Sequence, residues 1–251
     1  MSMGRLRDFF SQHPRIAVAY SGGADSSYLL YAAKAAGCTV RAYFVKSQFQ
    51  PQFEQDDAAR LAQSIGVPLT VAALDVLSLP AVVKNPADRC YHCKTAILTR
   101  LWELARADGF SVLCDGTNAD DDESDRAGAR AVRELGVMSP LRECGLGKNT
   151  IRHESQQAGL FTHDKPSYAC LATRIPAGTA ITEPLLIKIE RAENALFDMG
   201  YTDFRIRLAP PNSALIQMPA SQWDKAASCR KEILSTLQQD FESAMLDLVE
   251  R

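Results

Sequence analysis

Two groups of residues in this 251-residue sequence have types and spacings that suit chemistry. The first is the string Ser21-Gly22-Gly23-Ala24-Asp25-Ser26-Ser27. It lies between an apolar run and a helical pattern, so successive backbone N–H groups and a helix N-terminus can surround a phosphate. Its glycines let the backbone come close to an anion, and Ser26 and Ser27 have the side chains of helix caps. Asp25 would repel a phosphate unless it holds Mg2+ or restrains the loop. An ordinary capped turn is the bland alternative, and the GxxxxGK[ST] spacing of a Walker loop is missing. The second group is made of thiols: Arg89-Cys90-Tyr91-His92-Cys93-Lys94, and Cys170 in the stretch 165–174. One Cys-x-x-Cys fits a zinc knuckle, a redox pair or half of a cluster site, and no second one is present to complete a four-thiolate zinc site. Lys165 and Arg174 stand near Cys170 in sequence and favour its thiolate. Cys38, Cys114, Cys144 and Cys229 have no such company and fit buried apolar positions.

The elements around these groups alternate. Residues 4–13 read as a short helix, and Arg15 to Tyr20 as a buried strand that runs into the glycine loop. A helix over 26–36, a strand over 39–45, a helix over 53–65 and a strand over 68–74 give the order β-α-β-α-β. A helix over 95–108, a strand over 111–114 and helices over 127–135 and 149–158 continue it. Such alternation implies a parallel sheet with helices on both faces, and the loops after its strands share one crevice. Beyond Lys165-Pro166 the pattern changes to a helix over 183–199, strands over 203–208 and 213–218, and a closing helix over 221–250. The expected architecture is therefore α/β, a larger domain over 1–163 and a smaller C-terminal α+β domain over 164–251.

Twenty-eight basic against 30 acidic side chains give a formal net charge of −2, which supplies no field for holding a polyanion. A dedicated nucleic-acid binder is disfavoured. No run approaches the ~18 apolar residues that span a bilayer, and the start has no apolar signal segment, so a soluble cytoplasmic protein is expected. The odd set of seven cysteines fits thiol, metal or catalytic use better than disulfides. Arg205 and Arg207 alternate along a strand and share a face, where two guanidiniums suit phosphate or carboxylate. Asp120 to Asp125 could place Mg2+ or form a solvated acidic face, and Lys148 could reach a phosphate or lie exposed.

The glycine string resembles the SGGxDS signature of PP-loop enzymes, the adenine nucleotide alpha hydrolase-like fold. They cleave ATP between the α and β phosphates, adenylate a carboxyl or carbonyl oxygen and release pyrophosphate. The resemblance implies that Ala19, Tyr20 and Ser21 line the nucleotide. It implies that Ser21, Gly22, Gly23, Asp25, Ser26 and Ser27 belong to the pyrophosphate grip, that Phe44-Val45-Lys46 gives the adenine edge, and that Gly116 and Thr117 flank the α-phosphate. Four further stretches, around Asn85 to Lys94, Asp115 to Asp121, Ser139 to Leu141 and Pro166 to Arg174, are similar to the LarE family over nearly the whole chain.

LarE proteins convert the carboxylates of a pyridinium-3,5-biscarboxylic acid mononucleotide to thiocarboxylates, on the way to the nickel-pincer cofactor of lactate racemase. The resemblance implies ATP and Mg2+ as cofactors, Asp25 and Cys170 as catalytic residues, and Arg174, Arg205 and Arg207 as substrate ligands. It also implies a sulfide source, a downstream nickel-inserting protein and a homo-oligomer. One subgroup sacrifices the sulfur of the cysteine matching Cys170. Another resembles this sequence in adding the cysteines matching Cys90 and Cys93, and there three thiolates hold a 4Fe-4S cluster with one iron open to an extra sulfide. Two departures stand out: Asp125-Arg126-Ala127-Gly128 lacks the proline of the family's Asp-x-Arg-Pro-Gly around nucleotide-binding Arg126, and Gln217 occupies a position where an acid is expected. The rival functions are a cluster-dependent PP-loop tRNA thiolase, an amide-forming PP-loop ligase, and an ATP-binding regulator with structural zinc.

Overall fold

Largely apolar runs of three to eight residues, too short for a helix that buries a full stripe, form the strands of the centre. The computed structural model describes residues 2–121 and 127–249, and the chain divides into two compact units. The first comprises Met1–Val76 with Asp88–Ser167, the second Leu77–Ala87 with Tyr168–Arg251.

In the first unit α1 (Ser2–Gln12) leads to β1 (Arg15–Ala19), α2 (Ala24–Ala35), β2 (Thr39–Lys46), α3 (Gln52–Ser64) and β3 (Leu69–Ala73). The short α4 (Pro80–Val83) belongs to the second unit, and the first resumes with α5 (Arg89–Ala107) and β4 (Leu113–Asp115). It ends with α6 (Ala127–Glu134), α7 (Pro140–Glu143) and α8 (Lys148–Gln157). All four strands are parallel in the order β3-β2-β1-β4, with Val18 opposite both Ala42 and Cys114.

Side chains alternate across a strand, so each strand feeds two cores. Ile16, Val18, Val40, Ala42 and Phe44 pack with Leu29 and Leu30 of α2 and Leu61 of α3 on one face. Ala17, Tyr43 and Val45 pack with Leu98, Leu101 and Trp102 of α5 and Val132 of α6 on the other. Each fully buried large aliphatic or aromatic side chain contributes about 1.5–3 kcal/mol. The expected helix-covered parallel sheet is thus present, and β1, β2 and β4 all end at one edge.

The second unit contains α9 (Glu183–Asp198), β5 (Arg205–Ala209), β6 (Ser213–Gln217), α10 (Trp223–Ser228), α11 (Arg230–Leu237) and β7 (Ser243–Leu246). Its sheet has the order β5-β6-β7, with β5 antiparallel and β7 parallel to β6. Leu196, Phe204, Ile206, Ile216 and Ile233 form its core. The closing helix expected over 221–250 is replaced by two short helices and a strand. The pairing that ends it is tertiary: Ser243 to Leu246 lie along β6, and Ser213 Oγ and Ser243 Oγ share a hydrogen bond of 2.8 Å.

Asn85 joins the early segment to this unit. It adopts φ +52°, and its buried side-chain amide donates to the carbonyls of Pro176 (2.8 Å) and Thr179 (3.1 Å). The backbone follows, with Gly178 N–H donating to Asn85 and Ile181 N–H to Val83.

Candidate active-site loops and thiols

Ala19 ends β1, and the chain turns through Tyr20, Ser21, Gly22 and Gly23 into the first turn of α2. Gly22 lies in the left-handed region at φ +75°, and a Cβ there would meet Ala58 Cβ and the Glu54 carbonyl, both at 3.2 Å. Only glycine fits this turn without strain. The serines hold the loop shut behind the helix: Ser21 Oγ and Ser26 Oγ are 3.0 Å apart, and Ser26 Oγ donates to the Gly23 carbonyl. Ser27 is fully buried, with Oγ 3.4 Å from the Tyr20 hydroxyl. Burial pushes the Tyr20 phenol up to about 12, so it stays protonated at neutral pH. On the outside of the loop Lys165 Nζ lies 3.1 Å from Glu54, 3.0 Å from Asp57 and 3.4 Å from the Gly22 carbonyl.

The β4 loop meets the same turn. A Cβ on Gly116 would lie 2.7 Å from the Ser26 nitrogen and 2.8 Å from its Cα, so the two backbones touch and only glycine allows it. Asp115, buried at the end of β4, accepts from Thr117 Oγ (2.6 Å) and Ser139 Oγ (2.7 Å), with Lys94 Nζ at 3.6 Å. Asn118 donates from Nδ2 to Asp25 Oδ2 at 3.0 Å. Desolvation raises the Asp25 carboxyl above the usual carboxylate range; the Asn118 hydrogen bond opposes this and the Asp121 charge adds to it.

Among the described residues, the two acids that follow Asn118, Asp120 and Asp121, are committed to structure. Asp120 accepts from the Lys148 backbone N–H at 2.6 Å, at the N-terminus of α8, where the helix dipole favours a carboxylate. Asp121 accepts from the Asn118 N–H and pairs with Lys148 Nζ at 3.3 Å. Lys148 is therefore a paired and not a lone surface lysine, and its charge also acts on the Asp25 carboxyl. Asp122, Glu123, Asp125 and Arg126 lie outside the described residues.

The helix expected from Thr95 begins instead at Arg89, so Cys90 and Cys93 occupy its first turn three residues apart on one face. Asp88 stands at its N-cap without a side-chain cap bond, so no capping signature marks the start. Cys90 is exposed and Cys93 half-buried, and the Arg89 guanidinium lies 3.6 Å from Cys90 Sγ. His92 Nε2 lies 3.3 Å from the Asp88 carboxylate.

In the second unit Cys170 is half-buried and precedes a short 3-10 turn, Leu171–Arg174. Arg174 is 1% exposed and does not present its guanidinium outward. It pairs with Glu193 and donates to the Ala169 carbonyl at 2.6 Å and that of Cys170 at 3.4 Å. In this structure Arg174 orders the Cys170 turn from inside. Arg207 donates to the Thr173 carbonyl (3.0 Å) and to Gln217 Oε1 (2.6 Å), while Gln217 donates to Asp247 at 2.7 Å. The acid sought at Gln217 is thus present one hydrogen bond further on. Arg205 lies opposite Gln217 on the β5–β6 ladder.

Of the residues expected at an adenine edge, Phe44 and Val45 spend their side chains on the two cores, and Lys46 Nζ donates to the Gln50 carbonyl. Cys38, Cys114 and Cys144 are buried as expected, and burial pushes their thiols up. Half-buried Cys229 departs from that expectation. Lys94, Asp115 and Asn118, for which the sequence suggests no role, all sit in the stretches that carry the resemblance. Among the described residues, no group of three or more His, Cys, Asp or Glu residues is placed to hold a metal ion, and no helix is long and apolar enough to cross a membrane.

No family model matches the chain. It is similar to an uncharacterized protein of Synechocystis, with 37% identity over 218 residues, 86% of this chain and 81% of the relative. It is similar to the pyridinium-3,5-bisthiocarboxylic acid mononucleotide synthase of Lactiplantibacillus plantarum, with 30% identity over 210 residues, 83% of this chain and 76% of that one. An uncharacterized protein of Methanocaldococcus jannaschii is 30% identical over 199 residues, 78% and 75% of the two chains.

Proposed function

The chain belongs to the LarE family, and from that premise we propose that it adenylates the carboxylates of pyridinium-3,5-biscarboxylic acid mononucleotide with ATP and converts them to thiocarboxylates. The observation that carries the reading is the junction of the Ser21–Ser27 loop with Gly116. There a left-handed glycine, a helix N-terminus and a second glycine backbone converge at the ends of β1 and β4.

In this reading a substrate carboxylate oxygen attacks the α-phosphorus of ATP, the α–β bridge bond breaks, and pyrophosphate leaves on the loop. The loop's N–H groups neutralise the departing charge. Mg2+ held at Asp25 would screen the phosphates, and the raised Asp25 carboxyl fits a group whose ionised form waits for a cation. The acyl carbon, now bonded to AMP, is electrophilic. A sulfur nucleophile adds to it, AMP departs with the original carboxylate oxygen, and a thiocarboxylate remains.

The sulfur-bearing residues of this reading are Cys170, Cys90 and Cys93. Their donor chemistry is that of 4Fe-4S ligands: all three thiols are accessible to some degree, as is Cys229, whereas Cys38, Cys114 and Cys144 are buried with raised thiols. Three thiolates on such a cluster leave one iron able to hold an additional sulfide, which is the chemistry the group would supply. The sacrificial reading, in which Cys170 gives up its own sulfur, uses the same adenylate. The net charge of −2 weighs against tRNA as the substrate. A sulfide donor, a nickel-inserting protein downstream, a homo-oligomer and a cytoplasmic setting complete the proposal.

The test is direct. Protein purified without oxygen is given ATP, Mg2+, sulfide and the biscarboxylic mononucleotide; pyrophosphate is assayed and the product mass determined. Pyrophosphate release with sulfur-for-oxygen exchange supports the reading. Cys170→Ala is expected to keep the release and lose the exchange, and a wild-type protein that releases no pyrophosphate removes the reading.

A further inference from the structure

We infer that Lys165 is a positioning residue for the pyrophosphate loop, acting through the Gly22–Gly23 peptide; the inference rests on the loop's phosphate-binding role proposed above. The Lys165 ammonium is largely withdrawn from solvent, with side-chain exposure of 14%. It is fixed by two carboxylates of α3, Glu54 at 3.1 Å and Asp57 at 3.0 Å, and its third neighbour is the Gly22 carbonyl at 3.4 Å. Its backbone is fixed as well: Arg152 donates to the carbonyls of His163 and Lys165, each at 3.0 Å. The cation is thus held from both ends against the outside of a loop whose Gly22 already abuts Ala58 and the Glu54 carbonyl.

The peptide unit gives this contact a direction. In a trans peptide C=O and N–H point opposite ways, so a carbonyl drawn toward Lys165 turns the Gly23 N–H to the other side of the loop. That N–H donates to Ser21 Oγ at a long 3.4 Å, and it is one of the donors an anion at the start of α2 would take over. The positive charge behind the carbonyl also polarises the peptide and strengthens the donor. Lys165 therefore has no need to touch the phosphate. Its long stem crosses from the 163–167 segment to the loop, and the α3 carboxylates keep it from swinging into the anion space.

Two roles are separable by experiment. If Lys165 only compensates Glu54 and Asp57, its loss harms stability alike for every ligand. If it orients the loop, pyrophosphate suffers and AMP does not. Binding of inorganic pyrophosphate and of AMP, each with Mg2+, is measured by calorimetry for the wild type, Lys165→Arg, Lys165→Met and Lys165→Met/Glu54→Gln. The double variant removes one of the two carboxylates left uncompensated and keeps the test alive if the single Met variant does not fold. The expected result is a loss of about tenfold in pyrophosphate affinity for both Met variants, unchanged AMP binding, and partial rescue by Arg. Equal losses for the two ligands, or a double variant that binds pyrophosphate like the wild type, overturn the inference. A wild-type protein that binds AMP but no pyrophosphate overturns instead the loop reading on which it rests.

Discussion

Arg174 and Glu193 form a two-point ion pair inside the second unit, Nε to Oε1 at 2.8 Å and Nη2 to Oε2 at 3.2 Å, with both side chains essentially without solvent. Glu193 also accepts from the Tyr168 hydroxyl and from the Ile206 N–H at 2.9 Å, and the guanidinium stacks on the Tyr168 ring at 4.5 Å. One carboxylate thus joins α9, β5 and the turn that carries Cys170. Removing a single partner of a buried pair leaves an uncompensated charge, which costs about 3–5 kcal/mol. Glu193→Ala should therefore lose stability of that order in denaturant unfolding, with Glu193→Gln losing less because its amide oxygen still accepts. A loss below about 1 kcal/mol for the alanine variant would remove the pair from the architecture of the turn.

Gly116→Ala sets backbone against backbone. The added methyl would lie under 3 Å from the Ser26 nitrogen, Cα and Cβ, none of which is the end of a flexible side chain. Either β4 or the start of α2 must move, at about 1–3 kcal/mol for overpacking of this kind. The expected outcome is a lowered Tm together with weakened pyrophosphate binding. Gly136→Ala, with open space around its Cβ but φ +62°, is the control that pays only for its own backbone. Unchanged pyrophosphate binding in the Gly116 variant would separate the β4 loop from the nucleotide site.

The sequence made the first sheet legible because its signals are local. Ile16 and Val18 against Ala17 mark a strand buried on two faces, and Gly22 and Gly23 mark the turn that follows. What it concealed depends on partners far along the chain. Ser243 to Leu246 carry the apolar content of a helix, yet they pair with β6 some thirty residues earlier. Asn85 looks like a turn residue, and its amide is spent on carbonyls about ninety residues away. Arg174 looks like a substrate ligand for the same reason: nothing near it in sequence announces Glu193. The Cys90–Cys93 turn was hidden differently, since its helix starts without a side-chain cap and with weak helix formers.

The Asp25 carboxyl gives the fold a pH dependence with a defined sign. Desolvation raises it in the folded chain above the value it has when unfolded. The folded state therefore holds this proton more tightly, and its contribution to stability is full below the ordinary carboxylate range and lost as pH rises through the raised value. Asp25→Asn keeps the polar shape and removes the charge. In the absence of Mg2+ its Tm should exceed that of the wild type at about pH 8, and the gap should close toward about pH 4. A gap that widens on acidification would contradict the assigned cause. The same variant should bind pyrophosphate poorly in Mg2+, because the carboxylate that would hold the cation is gone.

Metal content decides between the two fates of Cys170. Cys90 and Cys93 share a face of the first turn of α5, and both are open to solvent in part, as a cluster half-site requires. Cys144 is buried, its thiol is raised by desolvation, and it serves as the control. Protein prepared without oxygen should contain about four irons and at least about four acid-labile sulfides per chain. Cys90→Ala should lose both, and Cys144→Ala should keep them. Pyrophosphate release should survive in Cys90→Ala, because the Ser21–Ser27 loop proposed to grip pyrophosphate lies at the end of β1 and contains no thiol. Stoichiometric zinc, or no metal in the wild type, would make Cys90 and Cys93 structural or redox thiols. Cys170 would then be the sulfur that is consumed, and one turnover per chain, with loss of one sulfur from the protein mass, would follow.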